Sequence, residues 1–173
     1  MDTEYAASHF RSSFSKLTDE DMARFLDLAE RRRCRRDETV IEEGDDYLAV
    51  NMVVSGEVRV EVKQTVNGRP DTIVELARLG PGAVFGEMAY LERTSASATV
   101  SANEEVELLY IDGRKIDDLI AGDPAFGSRF YESPACTLAS RVRDTSRRVL
   151  MVARSRKDRR TGIERRKDWV AED

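Results

Sequence analysis

One histidine, two cysteines, four prolines and one tryptophan are spread over 173 residues, and each scarcity narrows the chemistry. The histidine, His9, stands in the N-terminal stretch, away from the β-rich part of the chain. A metal-dependent cupin or a Ser-His or Cys-His hydrolase needs imidazole in its site, so both are disfavoured. Cys34 and Cys136 lie far apart and in no metal-ligand spacing, which predicts reduced, unpaired thiols. No apolar run approaches the roughly 18 to 20 residues that cross a bilayer. The opening MDTEYAASHF has no basic stretch followed by an apolar core, so the expected location is cytoplasmic, with no membrane span. A formal charge of −5 supplies no bulk attraction to nucleic acid. No constellation of nucleophile, base and orienting group marks an enzyme, and no cofactor is implied.

What is present is patterned. Thr18 is placed to cap a helix in LTDEDMARFLDLAERRR, with acids in its first turn. Leu17, Met22, Phe25, Leu26 and Ala29 recur at helical spacing. After Arg36 short β-rich runs alternate with glycine: Val58, Val60 and Val62 interleave with Glu57, Arg59, Glu61 and Lys63, Asn67-Gly68 is a hairpin signal, and Gly44, Gly56, Gly80 and Gly82 punctuate the runs. Residues 34–111 therefore read as an antiparallel sheet closed into a roll or barrel. From Asp112 helical spacing returns in RKIDDLIAG, then in a longer helix capped by Asp123 with Pro124 in its first turn. Phe126, Phe130, Leu138 and Val142 form its stripe, as core or as a dimer seam, and Pro134 is expected to kink or break it before an end near Arg148. The Arg-rich segment beyond Met151 has few apolar partners and reads as a flexible basic tail.

The stretch LGPGAVFGEMAYLERTSASATV, residues 79–100, carries the most chemistry. A strand ends at Phe85-Gly86, where glycine permits a conformation or a close approach barred to other residues. Glu87 then opens a short helical turn whose free N–H groups suit an anion, especially a phosphate. Ser95, Ser97 and Thr99 offer hydroxyls across the loop.

FGEMAYLERTSASATV resembles the phosphate-binding cassette of the cyclic-nucleotide-binding domain family, the domain of catabolite activator proteins and of protein kinase A regulatory subunits. TVIEEGD, VVSGEVRV and LGPGAVFGE precede it in the family's order, between an N-terminal helix and two closing helices, so the resemblance covers about residues 17–148. It implies a mainly β fold, a jelly-roll-like antiparallel β-roll flanked by helices, preceded by an extension over 1–16 and followed by a basic tail over 149–173. It also implies a ligand, cAMP or cGMP. Glu87 would take the ribose 2′-hydroxyl; Phe85, Gly86, Met88 and Ala89 would line the sugar-phosphate; Ser97 and Ala98 would meet the cyclic phosphate; residues around Leu138 to Val142 would cover the base.

One departure stands out. Phosphate-binding members carry an arginine where this chain has Ala96, commonly after a proline where it has Ser95. Losing such a charge-assisted contact costs roughly 1.5 to 3 kcal/mol, or about tenfold to hundredfold in affinity. Arg93, three residues upstream, is the candidate substitute. The winged helix-turn-helix of the family's transcription factors, about 70 residues, has no counterpart in the some 25 residues after Arg148, so direct DNA binding is not expected. Two readings follow: a sensor that signals to a protein partner through its C-terminal helix, with a homodimer along that helix as one option, or a degenerate roll serving only protein interaction or dimerisation.

Overall fold

A computed structural model describes residues 10–64, 72–136, 138–140 and 142–143. The chain divides into two units, Met1–Pro134 and Ala135–Asp173, and the architecture below is that of the first. Helix α1 (Asp19–Asp27) starts in a full capping box: the Thr18 hydroxyl accepts from the Asp21 N–H while the Asp21 carboxylate accepts from the Thr18 N–H. Its apolar stripe, Met22, Phe25 and Leu26, is buried together with Leu17.

The first strand begins sooner than the sequence suggests. Arginine propagates helices well, yet Glu30–Cys34 is strand β1, paired antiparallel with β8 (Val106–Asp112) from Glu30↔Tyr110 to Cys34↔Val106. The roll therefore begins ahead of residue 34, because a full cross-strand ladder outweighs a local preference measured in tenths of a kcal/mol.

Strands β2 (Thr39–Ile41), β3 (Ala49–Ser55), β4 (Val58–Gln64), β5 (Thr72–Leu79), β6 (Val84–Phe85) and β7 (Thr99–Ala102) complete two four-stranded antiparallel sheets, ordered β1-β8-β3-β6 and β2-β7-β4-β5. Side chains alternate across a strand. Val50, Met52 and Val54 of β3, with Leu109 and Ile111 of β8, join one core beneath the helices. Val53, with Val106 and Leu108, joins a second core of residues from both sheets. Burial on both faces explains why β3 is apolar at every position from Ala49 to Val54 except Asn51. By contrast, β4 is half-buried as expected, but its burial fades along the strand instead of alternating: Val58 is buried, Arg59 to Val62 are all intermediate, and Lys63 and Gln64 are exposed. Asn67-Gly68, the hairpin signal, lies outside the described residues.

Helix α2 (Glu87–Glu92) follows β6, and α3 (Gly113–Gly122) follows β8, with the Asp112 carboxylate accepting from the Arg114 N–H at its start. A further helix, α4, runs over 124–136, and the Asp123 carboxylate caps it through the Phe126 N–H at 3.0 Å. Helical structure reaches Pro134 without a break, the last residue of the first unit. The expected end near Arg148 and the basic tail lie outside the described residues.

Phe126 and Phe130 are wholly buried, and Phe130 lies within 5.4–6.0 Å of the Phe25, Phe126, Tyr90 and Phe14 rings. The stripe is core at these positions, so Phe130 is not part of a dimer seam. Phe10 and Phe14 are buried in the same cluster; the stretch before residue 17, expected to be a mere extension, supplies two of its aromatic rings. A polar clasp fastens the helices over this core. Arg129 of α4 donates twice to the buried Asp21 carboxylate, at 2.6 and 2.8 Å, and Arg24 bridges Asp21 and Asp123 at 2.9 and 2.8 Å. These donors hold the Asp21 carboxyl far below the usual carboxylate range, the Arg129 hydrogen bonds most of all.

Candidate functional site

The candidate site forms where β6 hands over to α2. Gly86, the residue before the helix, has φ 83°, a left-handed conformation that favours glycine. Space excludes other residues as well: a Cβ at Gly86 would lie 2.8 Å from the Ala49 carbonyl oxygen and 3.2 Å from Asn51 Nδ2. The cassette backbone is thus pressed against β3, whose Asn51 is in register with Phe85. Glu87 and Ala89 are buried and Met88 is 41% exposed. A buried carboxylate sits in the first turn of α2, where the helix dipole stabilises negative charge.

The far end of the cassette is strapped down. The Ala96 N–H donates to the Asp45 carbonyl and the Gly44 N–H to the Ala96 carbonyl, both at 2.8 Å, tying residues 94–98 to the loop between β2 and β3. Ala96 itself is buried in the interior core with Phe85, Ile41 and Val100. Ser95 and Ser97 are exposed, and Ala98 is half-buried. The Thr99 hydroxyl, one of three expected to face a ligand, already accepts from the Glu43 N–H at 3.1 Å.

Arg93 occupies a different place from the one a standing substitute for the missing arginine would take. It caps the end of α2 with φ 55°. Its guanidinium lies 2.5 Å from an Asp117 carboxylate oxygen of α3 and 4.6 Å over the Tyr90 ring centre. The Tyr90 hydroxyl donates to the same Asp117 oxygen at 2.8 Å. Arg93 thereby holds the Asp117 carboxyl below its ordinary value, while burial, with the Asp117 hydrogen bond, pushes the Tyr90 phenol up.

Sequence reasoning missed Tyr47 and Asn51. The Tyr47 hydroxyl donates to Asn51 Oδ1 at 3.0 Å, and Asn51 is wholly buried, its Nδ2 without a hydrogen-bond partner among the described residues. Burial pushes the Tyr47 phenol up to about 12, so it remains a donor at any physiological pH. The available signal was one amide inside an otherwise apolar strand. Leu138 to Val142, expected over the base, belong to the second unit. A polar groove lined by Arg33, Ser55, Glu105, Val106 and Glu107 shares no residue with the cassette. Among the described residues no group of three or more His, Cys, Asp or Glu could hold a metal ion, and no helix is long and apolar enough to cross a membrane.

Two four-stranded antiparallel sheets, with a sixth strand that opens through a left-handed glycine into a short helix, define a β-roll domain flanked by helices. The chain belongs to the cyclic nucleotide-binding domain family, whose pattern matches residues 31–123. Domains of this family are generally non-catalytic regulatory modules. Over 119 residues, 69% of the chain, it is 35% identical to a proposed potassium channel protein of Rhodopseudomonas palustris, of which it spans 27%. It is also 35% identical over 96 residues, 56% of the chain, to the cyclic AMP receptor protein of Thermus thermophilus, of which it spans 43%. The chain thus covers less than half the length of either relative. Among solved structures, a cyclic nucleotide-binding domain from Methylobacillus flagellatus superposes with a TM-score of 0.73 at 21% identity, over 86% of this chain and 84% of that one. The Thermus thermophilus catabolite activator protein does so with a TM-score of 0.66 at 28% identity, over 82% and 63%.

Proposed function

We propose that this domain is a regulatory sensor that binds cAMP or cGMP at the cassette and signals to a protein partner through its C-terminal helix. In this reading Glu87 takes the ribose 2′-hydroxyl. Phe85, Gly86, Met88 and Ala89 line the sugar-phosphate, and Ser97 and Ala98 meet the cyclic phosphate. The observation that carries it is the buried Glu87 at the start of α2, directly after a left-handed Gly86 pressed against β3. A buried carboxylate in the first turn of a helix, directly after a glycine that lets the backbone approach closely, suits a ligand that brings hydroxyl donors and an anion together.

Calorimetric titration of the full chain with cAMP and with cGMP tests the reading, beside the Glu87→Ala variant. Micromolar binding of either nucleotide, weakened at least tenfold in the variant, is the expected result. Binding of neither, with no thermal shift, transfers the assignment to a second reading favoured by Ala96: a roll that has given up nucleotide and serves as a protein-interaction module.

A further inference from the structure

From Gly86 to Ala98 the cassette contains a single cationic residue, Arg93. The position that gives the family its arginine is Ala96, buried in the interior core. An anionic ligand seated on this cassette therefore has one cation of the cassette itself available to it, and in the structure that cation is already paired with Asp117 of α3 at 2.5 Å. Resting on the sensor reading above, we propose that Arg93 is the phosphate-binding cation of this site, and that Asp117 is an internal anion that the ligand's cyclic phosphate must displace.

Three observations support the exchange. The Arg93–Asp117 pair is shallow, with side chains 47% and 40% exposed, so solvent screens it and releasing it is cheap. Arg93 lies three positions before Ala96, at most about 10 Å of chain, a gap that the long arginine stem largely bridges. Arg93 also stands at φ 55°, a sparsely populated conformation for a side chain of its size, so a change of backbone there relieves strain. The ligand class is a small molecule with a single negative charge on a planar-accessible oxygen pair, which a guanidinium fork grips better than an ammonium.

The exchange has a mechanical consequence. Asp117 is also the acceptor of the Tyr90 hydroxyl, so the same carboxylate joins α2 to α3. Withdrawing Arg93 removes one of its two donors and loosens α3 from the cassette. The bound phosphate would thus be reported to the helices by the loss of a contact within the protein.

The test is calorimetric titration of cAMP and cGMP into the full chain at low salt, comparing wild type with Asp117→Asn, Arg93→Gln, the double variant and Glu87→Ala. Asparagine retains an acceptor for Tyr90 while removing the competing charge. Asp117→Asn is expected to tighten binding by about threefold to tenfold, a sign that loss of a purely structural contact would not produce. Arg93→Gln weakens binding about tenfold or more, and the double variant matches Arg93→Gln, because a competitor matters only while the arginine is there. Nucleotide binding that depends on Glu87 but is unchanged or weakened by Asp117→Asn overturns the exchange alone. Binding by no variant overturns both the exchange and the sensor reading. Thermal melts within a few degrees of wild type confirm that the variants are folded; should Asp117→Asn melt early, the weakening by Arg93→Gln and its dependence on salt decide, and salt-independent binding by that variant at wild-type affinity overturns the proposal.

Discussion

Asp21→Asn isolates the charge at the centre of the helical clasp. The Asp21 side chain is 1% exposed and accepts four hydrogen bonds from three donors: the Thr18 N–H, Arg24, and Arg129 twice. Asparagine is nearly isosteric and keeps an acceptor for the Thr18 N–H, so the capping box loses little. The two bonds from Arg129 are the main loss. A charge-assisted hydrogen bond contributes about 1.5 to 3 kcal/mol, but Arg129 is 33% exposed and recovers hydration when released, and Arg24 keeps Asp123. The expected destabilisation is therefore about 2 to 3 kcal/mol rather than the roughly 3 to 5 of a fully buried pair. That corresponds to a fall in Tm of roughly 6 to 12 °C. The pH dependence has a definite sign. The folded carboxyl is held below its unfolded value of about 3.9, so its contribution is complete above that pH and drains away as pH falls below it. Urea denaturation followed by circular dichroism should show the full gap between wild type and variant at pH 7 and a narrowing gap below about pH 4. A gap under about 0.5 kcal/mol at pH 7, or one that stays constant down to pH 2.5, would refute the reasoning.

Gly86→Ala combines a forbidden backbone with a Cβ 2.8 Å from the Ala49 carbonyl oxygen; it should cost about 1 to 3 kcal/mol and abolish nucleotide binding, and a variant with wild-type melting and affinity would show that the close approach is slack. Ala96→Arg restores the arginine of phosphate-binding members and should raise cAMP affinity about tenfold or more; a loss of stability with no gain in calorimetric affinity would mean that the side chain at 96 serves only the interior core.

The departures of fold from pattern share one cause. Helix α1, the caps at Thr18, Asp112 and Asp123 and the turn glycines all rest on neighbours within a few residues, where local rules govern. The strand at Glu30–Cys34 began ahead of the expected roll because its partner, β8, lies more than 70 residues away in sequence. Phe10 and Phe14 stood outside the expected domain for the same reason: they join a core cluster in which the ring partners of Phe14, Phe25 and Phe130, come from two separate helices.

For the site, the order of residues by itself determined the glycine, the following glutamate and the missing arginine, because a turn from strand to helix is written in contiguous residues. Tertiary structure alone decided that Arg93 faces Asp117, that Thr99 is occupied by the Glu43 N–H, and that Asn51 lies against Gly86. Each of these is a pairing across the roll or between helices. Side-chain chemistry can be read from one position, but which partner satisfies it depends on which distant strand or helix the closed fold brings alongside.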